Sequence, residues 1–402
     1  MEGSKVKPMA YKKFQSTQLF TGYKLLDSDH ILITDEQGKI EDIVPEANAG
    51  DEIQKFEGIL SPGLINCHCH LELSHLKNVI PPGTGLIEFL CSVVIKRDFV
   101  PQVIQEQIVK AEREMYHNGI VAVGDIGNTA DTAEVKSKSN IYWQNFVEVL
   151  SFTDQKAEEN INFYQSVLNS LAKIRNPKSE IRNSLVPHAP YSISPKTFKL
   201  INELTKDQVI SIHNQEHPAE DELYKTGSGD YLKLFKILGV NQSPFPITGE
   251  SSIRSWLPYF NNGQTILLVH NTYMAEEDIV FTKEYAQKNG LTLIFCLCPN
   301  ANLYIENKLP PIDLFIEHNC HLVLGTDSYS SNWQLSIAKE IGAIAAKPGF
   351  KTVATLEQVL QWATVNGAKA LKWDNELESF EKGKKPGVTL IDPVNWTSKK
   401  LI

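Results

Sequence analysis

The chain has 402 residues, 42% of them hydrophobic, enough for one large domain or two ordinary ones with buried cores. Its formal net charge of -9 argues against a surface that grips phosphates, because nucleic acid or anionic lipid requires concentrated Lys and Arg; a small-molecule substrate fits better, with neither nucleic acid nor membrane as partner. The opening MEGSKVKPMAYKKFQ carries lysines with no apolar run behind them, and no window is apolar enough to span a bilayer, so a cytoplasmic protein is expected, with homo-oligomerisation left open.

Residues 10 to 60 read as short β segments; HILITDEQGKIEDIVP places two apolar runs around Glu36-Gln37-Gly38-Lys39, a hairpin pattern. From residue 61 onward, strand-like apolar runs alternate with long amphipathic stretches, which predicts βα units and a parallel sheet. The runs cover 63–71, 120–127, 141–150, 181–190, 208–216, 265–271, 291–299 and 321–328, and eight of them make a (β/α)8 barrel the leading topology. Between the fifth and sixth runs, residues 227–262 exceed what a minimal crossover needs and offer material for a substrate pocket. Beyond the eighth, TLEQVLQWATVNGAKAL opens with a Thr355 to Gln358 capping-box pattern, and GKKPGVTLID reads as a turn into a strand that returns to the N-terminal β unit.

A barrel interior should be filled with Val, Ile and Leu, yet these runs end in His68 and His70, His188, His213, His270 and Asp327. The C-terminal strand ends of such barrels carry the active site, so the six would converge although they are far apart in sequence. In INCHCH, strict alternation puts residues 68 and 70 on one face and 67 and 69 on the other. If the histidines face the axis, Cys67 and Cys69 pack against helices as small hydrophobes, and Cys296 and Cys298 read the same way. A Cys-rich structural zinc site lacks its C-x2-4-C spacing, and nothing resembles a disulfide framework, so reduced thiols are expected. His68, His70, His213 and Asp327 offer three imidazole nitrogens and a carboxylate, a set suited to zinc or another borderline divalent ion with a position left for water. His30, His75, His117, His217, His318 and His321 lack this placement and read as ordinary core or surface side chains.

PGLINCHCH, SIHNQE, LVHN, CPNANLYIENKLP and LGTDSYSSN resemble, in order and spacing, the motifs of the amidohydrolase superfamily, in its mononuclear branch of nucleobase and nucleoside deaminases and chlorohydrolases. The resemblance spans essentially the whole chain. It implies an α/β fold, a (β/α)8 TIM barrel over 61–371 with a small β-sandwich domain formed from 1–60 and 372–402. It implies one divalent metal ion, zinc first and iron as the alternative, held by His68, His70, His213 and Asp327. Glu216, three positions after the strand-five ligand, would be the acid/base residue, His270 would lie beside the attacking water, and His188 in PHAPYS would contact the substrate. Binuclear members of the superfamily use a carbamylated lysine at the end of strand four; here that strand reads IRNSLVPHAP without one, which implies a single metal. The Cys/His zinc deaminases that act on cytidine are excluded, because their H-x-E and P-C-x-x-C pair is absent.

The implied reaction is hydrolytic deamination. Water activated by the metal and Asp327 attacks the carbon bearing the exocyclic amine of an aromatic N-heterocycle, while Glu216 protonates the adjacent ring nitrogen and later serves the departing ammonia. GTGLIEFL resembles the segment that supplies a ribose-binding glutamate in nucleoside deaminases of the branch, which maps that role onto Glu88. HCHLELSHL is similar to aminodeoxyfutalosine deaminases. The expected substrate is therefore an adenine-type nucleoside: aminodeoxyfutalosine, S-adenosylhomocysteine, methylthioadenosine or adenosine. The alternatives are guanine or cytosine deamination, chlorohydrolysis, and a non-catalytic dihydropyrimidinase-like scaffold, against which the intact ligand set and Glu216 speak. No side chain is singled out for a 5′ substituent; Arg97, Lys96 and Arg254 are the basic residues considered, and none is assigned.

Overall fold

The computed structural model describes residues 11–240 and 243–402. The reading of the first ten residues, and residues 241 and 242 of the long segment, lie outside the described residues. All eight apolar runs form strands: β1 (Leu64–Cys69), β2 (Ile120–Gly127), β3 (Tyr142–Val149), β4 (Ile181–Pro187), β5 (Val209–Asn214), β6 (Thr265–His270), β7 (Thr292–Leu297) and β8 (Leu322–Leu324). β1 to β4 pair in parallel in one sheet and β5 to β8 in a second. Most residues in these strands are buried, which is why the runs are continuously apolar rather than alternating.

The two sheets touch at both edges. The His213 amide donates to the His188 carbonyl (3.1 Å) across the gap between β4 and β5, and the amides of Thr326 and Asp327 donate to the His68 carbonyl (2.9 and 3.0 Å) between β8 and β1. An isolated parallel bridge pairs Cys69 with Asp327. A glycine permits the closeness of β8 to β1, since a Cβ on Gly325 would meet the His68 Cβ at 2.7 Å; within the first sheet, a Cβ on Gly124 of β2 would come within 2.5 Å of the Cys67 carbonyl oxygen of β1.

β1 is irregular near its end, though His68 and His70 meet at Asp327 and Cys67 packs against a helix, as expected. Its register against β2 shifts between Asn66 and Cys69, the mark of a β-bulge that adds one residue to the strand. The Asn66 amide donates to the Thr326 hydroxyl (2.8 Å), and the Cys67 sulfur lies 3.2 Å from the place a Cβ on Gly367 would occupy, in the helix Val365–Ala370. Cys67, Cys69, Cys296 and Cys298 are all buried in the main apolar core as free thiols. Burial pushes Cys67, Cys69 and Cys298 well above the ordinary thiol range, as expected for packing side chains.

Helices follow the strands. Helix Leu356–Trp362 begins at the reciprocal Thr355/Gln358 capping box expected from the sequence. Helices Leu86–Lys96 and Tyr231–Ile237, the second from the long 227–262 segment, pack Leu86, Phe89, Leu234 and Phe235 into a separate apolar cluster with Tyr191. Both termini contribute to one seven-stranded sheet. Its order is Thr397–Lys400, Thr389–Asp392, Ile53–Ser61, Tyr11–Phe20, His30–Asp35, Ile40–Pro45, with Leu25–Asp27 also on Tyr11–Phe20. The expected hairpin is the antiparallel pair His30–Asp35 and Ile40–Pro45. GKKPGVTLID enters the strand Thr389–Asp392, which pairs with Ile53–Ser61, and the sheet has its own core of Phe14, Leu32, Leu60, Phe380 and Val388. The strands make one hydrogen-bonded sheet rather than the two separate sheets that name a sandwich. Among the described residues, no helix is long and apolar enough to cross a membrane.

Candidate active site

The polar residues that interrupt the apolar runs meet where the strands end. The Nε2 atoms of His70 and His213 are 3.2 Å apart, and Asp327 Oδ1 lies 3.6 Å from His68 Nε2 and 3.5 Å from His70 Nε2. His68, His70, His213 and Asp327 are all buried. The backbone bends sharply at one of these groups and at the end of β6: Asp327, His270 and Asn271 have φ of 58°, 71° and 54°, a region non-glycine residues rarely occupy and one that marks functional sites.

Burial drives the imidazoles toward the neutral form. His68 titrates below its ordinary value, His213 well below it, and His270 is pushed down to about 3. Burial alone would raise Asp327, but the adjacent His68, 3.6 Å away, and the fields of His70 and His270 outweigh it and hold the carboxyl well below its ordinary range. Ser331 donates to Asp327 Oδ2 (2.7 Å), leaving Oδ1 toward the histidines. Both ring nitrogens of His68 and the Nε2 of His270 are buried without a hydrogen-bond partner among the described residues. Buried polar atoms are normally paired. Neutral imidazole nitrogens gathered around one ionised carboxylate, with unpaired atoms among them, fit a divalent cation.

Glu216 follows on the turn after β5, buried, with Oε1 3.6 Å from His270 Nε2. Burial, and after it the negative charge of Asp327, pushes its carboxyl well above the ordinary range. The side-chain amide of Asn302 donates to the Thr272 hydroxyl (2.7 Å) and faces His270 Nδ1 at 3.3 Å. His188 Nδ1 is 2.5 Å from Glu148 Oε2, and Asn128 Nδ2 donates to the other Glu148 oxygen (3.0 Å). Burial opposes ionisation of Glu148, yet the charge and hydrogen bond of His188 prevail and bring it down to about 2. Glu72 Oε2 accepts from the amides of Asn128 and Thr129 (both 3.2 Å) and from the Thr129 hydroxyl (2.8 Å).

These residues border a cavity of about 260 Å3 lined by His70, His188, His213, Glu216, His270 and Asp327 together with the apolar Leu86, Phe89, Leu90, Val93, Phe152, Leu234 and Leu238. Leu234 and Leu238 come from the 227–262 segment, as expected of it. Glu88 is placed differently. Its side chain is half exposed, pairs with Lys233 and does not line the cavity. Sequence reasoning missed Glu72, Glu148, Asn302 and Ser331. Glu72 and Asn302 fall inside motifs already singled out, HCHLELSHL and CPNANLYI, where a buried polar residue in an apolar context was the available signal. Glu148, in the apolar run IYWQNFVEVL, gave the same signal at the end of β3.

Residues 59–401 match the amidohydrolase family, and the chain belongs to it. Among relatives, it is 24% identical over 369 residues to the 5-methylthioadenosine/S-adenosylhomocysteine deaminase of Thermoanaerobacter pseudethanolicus, covering 88% of this chain and 78% of that one. It is 26% identical over 339 residues to the aminodeoxyfutalosine deaminase of a Nitratiruptor species, covering 83% and 79%. The crystal structure of Helicobacter pylori aminofutalosine deaminase in complex with methylthio-coformycin superposes with a TM-score of 0.75 at 22% identity, covering 94% of this chain and 92% of that one, a likeness of fold.

Proposed function

We propose that this protein is a hydrolase that deaminates an adenine-type nucleoside with the help of one divalent metal ion, zinc in the first instance and iron as the alternative. The observation that carries the reading is the convergence of the three imidazoles of His68, His70 and His213 and the ionised Asp327 beside a buried Glu216 whose carboxyl stays protonated well above the ordinary range. His68, His70, His213 and Asp327 would hold the cation, which when bound supplies the Lewis acid that makes water a competent nucleophile near neutral pH.

The chain's own residues do the rest. Glu216 gives its proton to the ring nitrogen next to the amine-bearing carbon, raising that carbon's electrophilicity, and then serves the departing ammonia. With the Asn302 amide donating toward Nδ1, His270 carries its proton on Nε2, where it can donate to the attacking water. Asp327 receives the proton of that water. His188, fixed by Glu148, contacts the heterocycle from the β4 side. Glu88 reaches a ribose diol only by leaving Lys233.

In this reading the two parallel sheets, joined at both edges, close as a (β/α)8 barrel over residues 61–371. Residues 1–60 and 372–402 form the small β domain, and the enzyme works in the cytoplasm. Aminodeoxyfutalosine is the first substrate to try, then S-adenosylhomocysteine, methylthioadenosine and adenosine. The test is ammonia release by purified, metal-loaded enzyme from that panel plus guanine, cytosine and a chlorinated triazine, compared by kcat/KM. Activity confined to the free bases or the triazine overturns the nucleoside assignment, and well under one bound divalent ion per chain after metal-replete expression overturns the enzyme reading.

A further inference from the structure

Glu216 is delivered by a turn that the chain adopts under strain. Just after β5, Gln215 has a φ of 42°, left-handed backbone that a residue with a side chain rarely occupies and that persists only where its surroundings impose it. The Gln215 amide donates to Glu220 Oε1 (3.0 Å), and its carbonyl accepts from the Tyr273 amide (2.9 Å). Its side-chain amide donates to Asp278 Oδ2 (2.8 Å) and Asp221 Oδ1 (3.2 Å).

Glu220 is the unusual member of this set. It is fully buried, and no basic side chain pairs with its carboxyl among the described residues. Burial pushes that carboxyl up to about 8, and an uncharged carboxyl still accepts through its carbonyl oxygen. A buried acid without a counter-ion opposes folding, so its place calls for a reason.

The helix that carries Glu220 is itself fixed. Pro218–Thr226 starts at the N-cap His217, whose Nδ1 accepts from the Ala219 amide (3.1 Å). It buries Ala219 and Leu223 in the apolar cluster around Tyr191, and Tyr224 in the main core. Glu220 stands third in the helix, where a glutamate ordinarily reaches back to the amide of the cap residue. Here it reaches two residues further, to the amide of the residue before Glu216. The chain of contacts therefore runs from the packed helix through Glu220 and Gln215 to a carboxyl 3.6 Å from His270 Nε2.

We propose that Glu220 is the positioning residue for Glu216: it holds the Gln215 amide and so keeps the turn that aims the Glu216 carboxyl into the cavity. This rests on Glu216 being the proton donor of the deaminase reading and deepens that reading. What the role requires at position 220 is an acceptor at a fixed point, not a charge.

The experiment measures kcat and KM for methylthioadenosine and S-adenosylhomocysteine, with metal content and thermal unfolding, on the purified, metal-loaded enzyme. The variants are Glu220→Met, Glu220→Gln and Glu220→Asp, each made alone and together with Glu216→Gln. Glu220→Met keeps the bulk and removes the acceptor, and should lower kcat by about 10- to 100-fold, the scale of a displaced reacting group, with KM and metal content as in wild type. Glu220→Gln keeps a carbonyl in the same place and should rescue most of kcat. With Glu216→Gln already present, Glu220→Met should cost little more, because a residue that acts through another is not additive with it. Glu220→Asp withdraws the acceptor by one methylene, should show the same pattern at smaller amplitude, and carries the cycle if the methionine variant does not fold. Equal losses from Glu220→Met with and without Glu216, a Glu220→Gln loss as large as that of Glu220→Met, or full activity of Glu220→Met overturns the positioning role while sparing the deaminase reading. Wild type releasing ammonia from neither nucleoside, or Glu216→Gln at near-normal rates, overturns both.

Discussion

His213 Nδ1 lies 2.7 Å from the carbonyl oxygen of His188. A carbonyl only accepts, so Nδ1 carries the ring proton and Nε2 is left with its lone pair, 3.2 Å from His70 Nε2. The backbone of β4 thereby selects the tautomer on β5 that a cation requires. His213→Ala and His70→Ala should lose the metal and all turnover, and Asp327→Asn should abolish turnover, whereas Cys69→Ala should retain both. Metal content per chain and ammonia release measure this. A cysteine variant that loses metal while the histidine variants stay loaded would reverse the assignment.

Glu216→Gln keeps the shape and hydrogen-bonding size of the side chain and removes its transferable proton. Metal content and thermal unfolding should match wild type, with kcat lowered by about 10²- to 10⁴-fold. Near-normal rates would remove Glu216 from the chemistry.

Behind the site, Lys136 and Asp125 form a fully buried ion pair, with Lys136 also bonded to Asn145 Oδ1. The other Asp125 oxygen accepts from the Leu71 amide (2.8 Å), immediately after His70. Lys136→Met should leave a buried carboxylate without its counter-ion and cost about 3–5 kcal/mol of stability, read by chemical denaturation. Lys136→Met combined with Asp125→Asn should recover much of that loss. A single variant as stable as wild type would show the pair to be dispensable.

Glu340 is buried, accepting from the Asn300 amide and the Asn332 side chain, and burial pushes its carboxyl from an ordinary 4.5 up to about 8. Because the folded value lies above the unfolded one, the folded protein holds the proton more tightly. The associated stability is fully present below about pH 4.5 and is lost as pH rises through about 8. Glu340→Gln should flatten the fall of stability across that window, where one such group supplies up to ~1.4 kcal/mol per pH unit. Urea midpoints at several pH values give the slope, and identical slopes in both proteins would refute the assignment.

Glu88 pairs with Lys233 across the helices Leu86–Lys96 and Tyr231–Ile237. If it turns from there to a ribose diol, Glu88→Ala should reduce kcat/KM on nucleosides and spare free bases. Equal effects on both would leave the pair as a helix-to-helix contact alone, and Lys233→Ala, which frees Glu88, distinguishes the two by raising nucleoside turnover or leaving it unchanged.

The sequence by itself determined the eight strands and the residues that end them. Buried parallel strands must be continuously apolar, so His68, His188, His213, His270 and Asp327 are anomalies visible in one dimension. The Thr355/Gln358 box and the hairpin around Gly38 were legible for the same reason, since their determinants are within four residues of one another. What only the tertiary structure decided depends on partners far apart in the chain. The bulge in β1 follows from pairing with β2 and could not be read from INCHCH alone, although Cys67 packs against the helix Val365–Ala370 as alternation had it. Glu88 looked like a cavity residue from its motif, but Lys233, brought alongside by a different helix, holds it at the surface. Glu72 and Glu148 acquire meaning through Asn128, Thr129 and His188, contacts made across strands and loops that no local pattern encodes. Hydrophobic periodicity is a property of neighbours in sequence. The charge, tautomer and exposure of a buried polar group are set by whatever the fold places within a few ångströms of it.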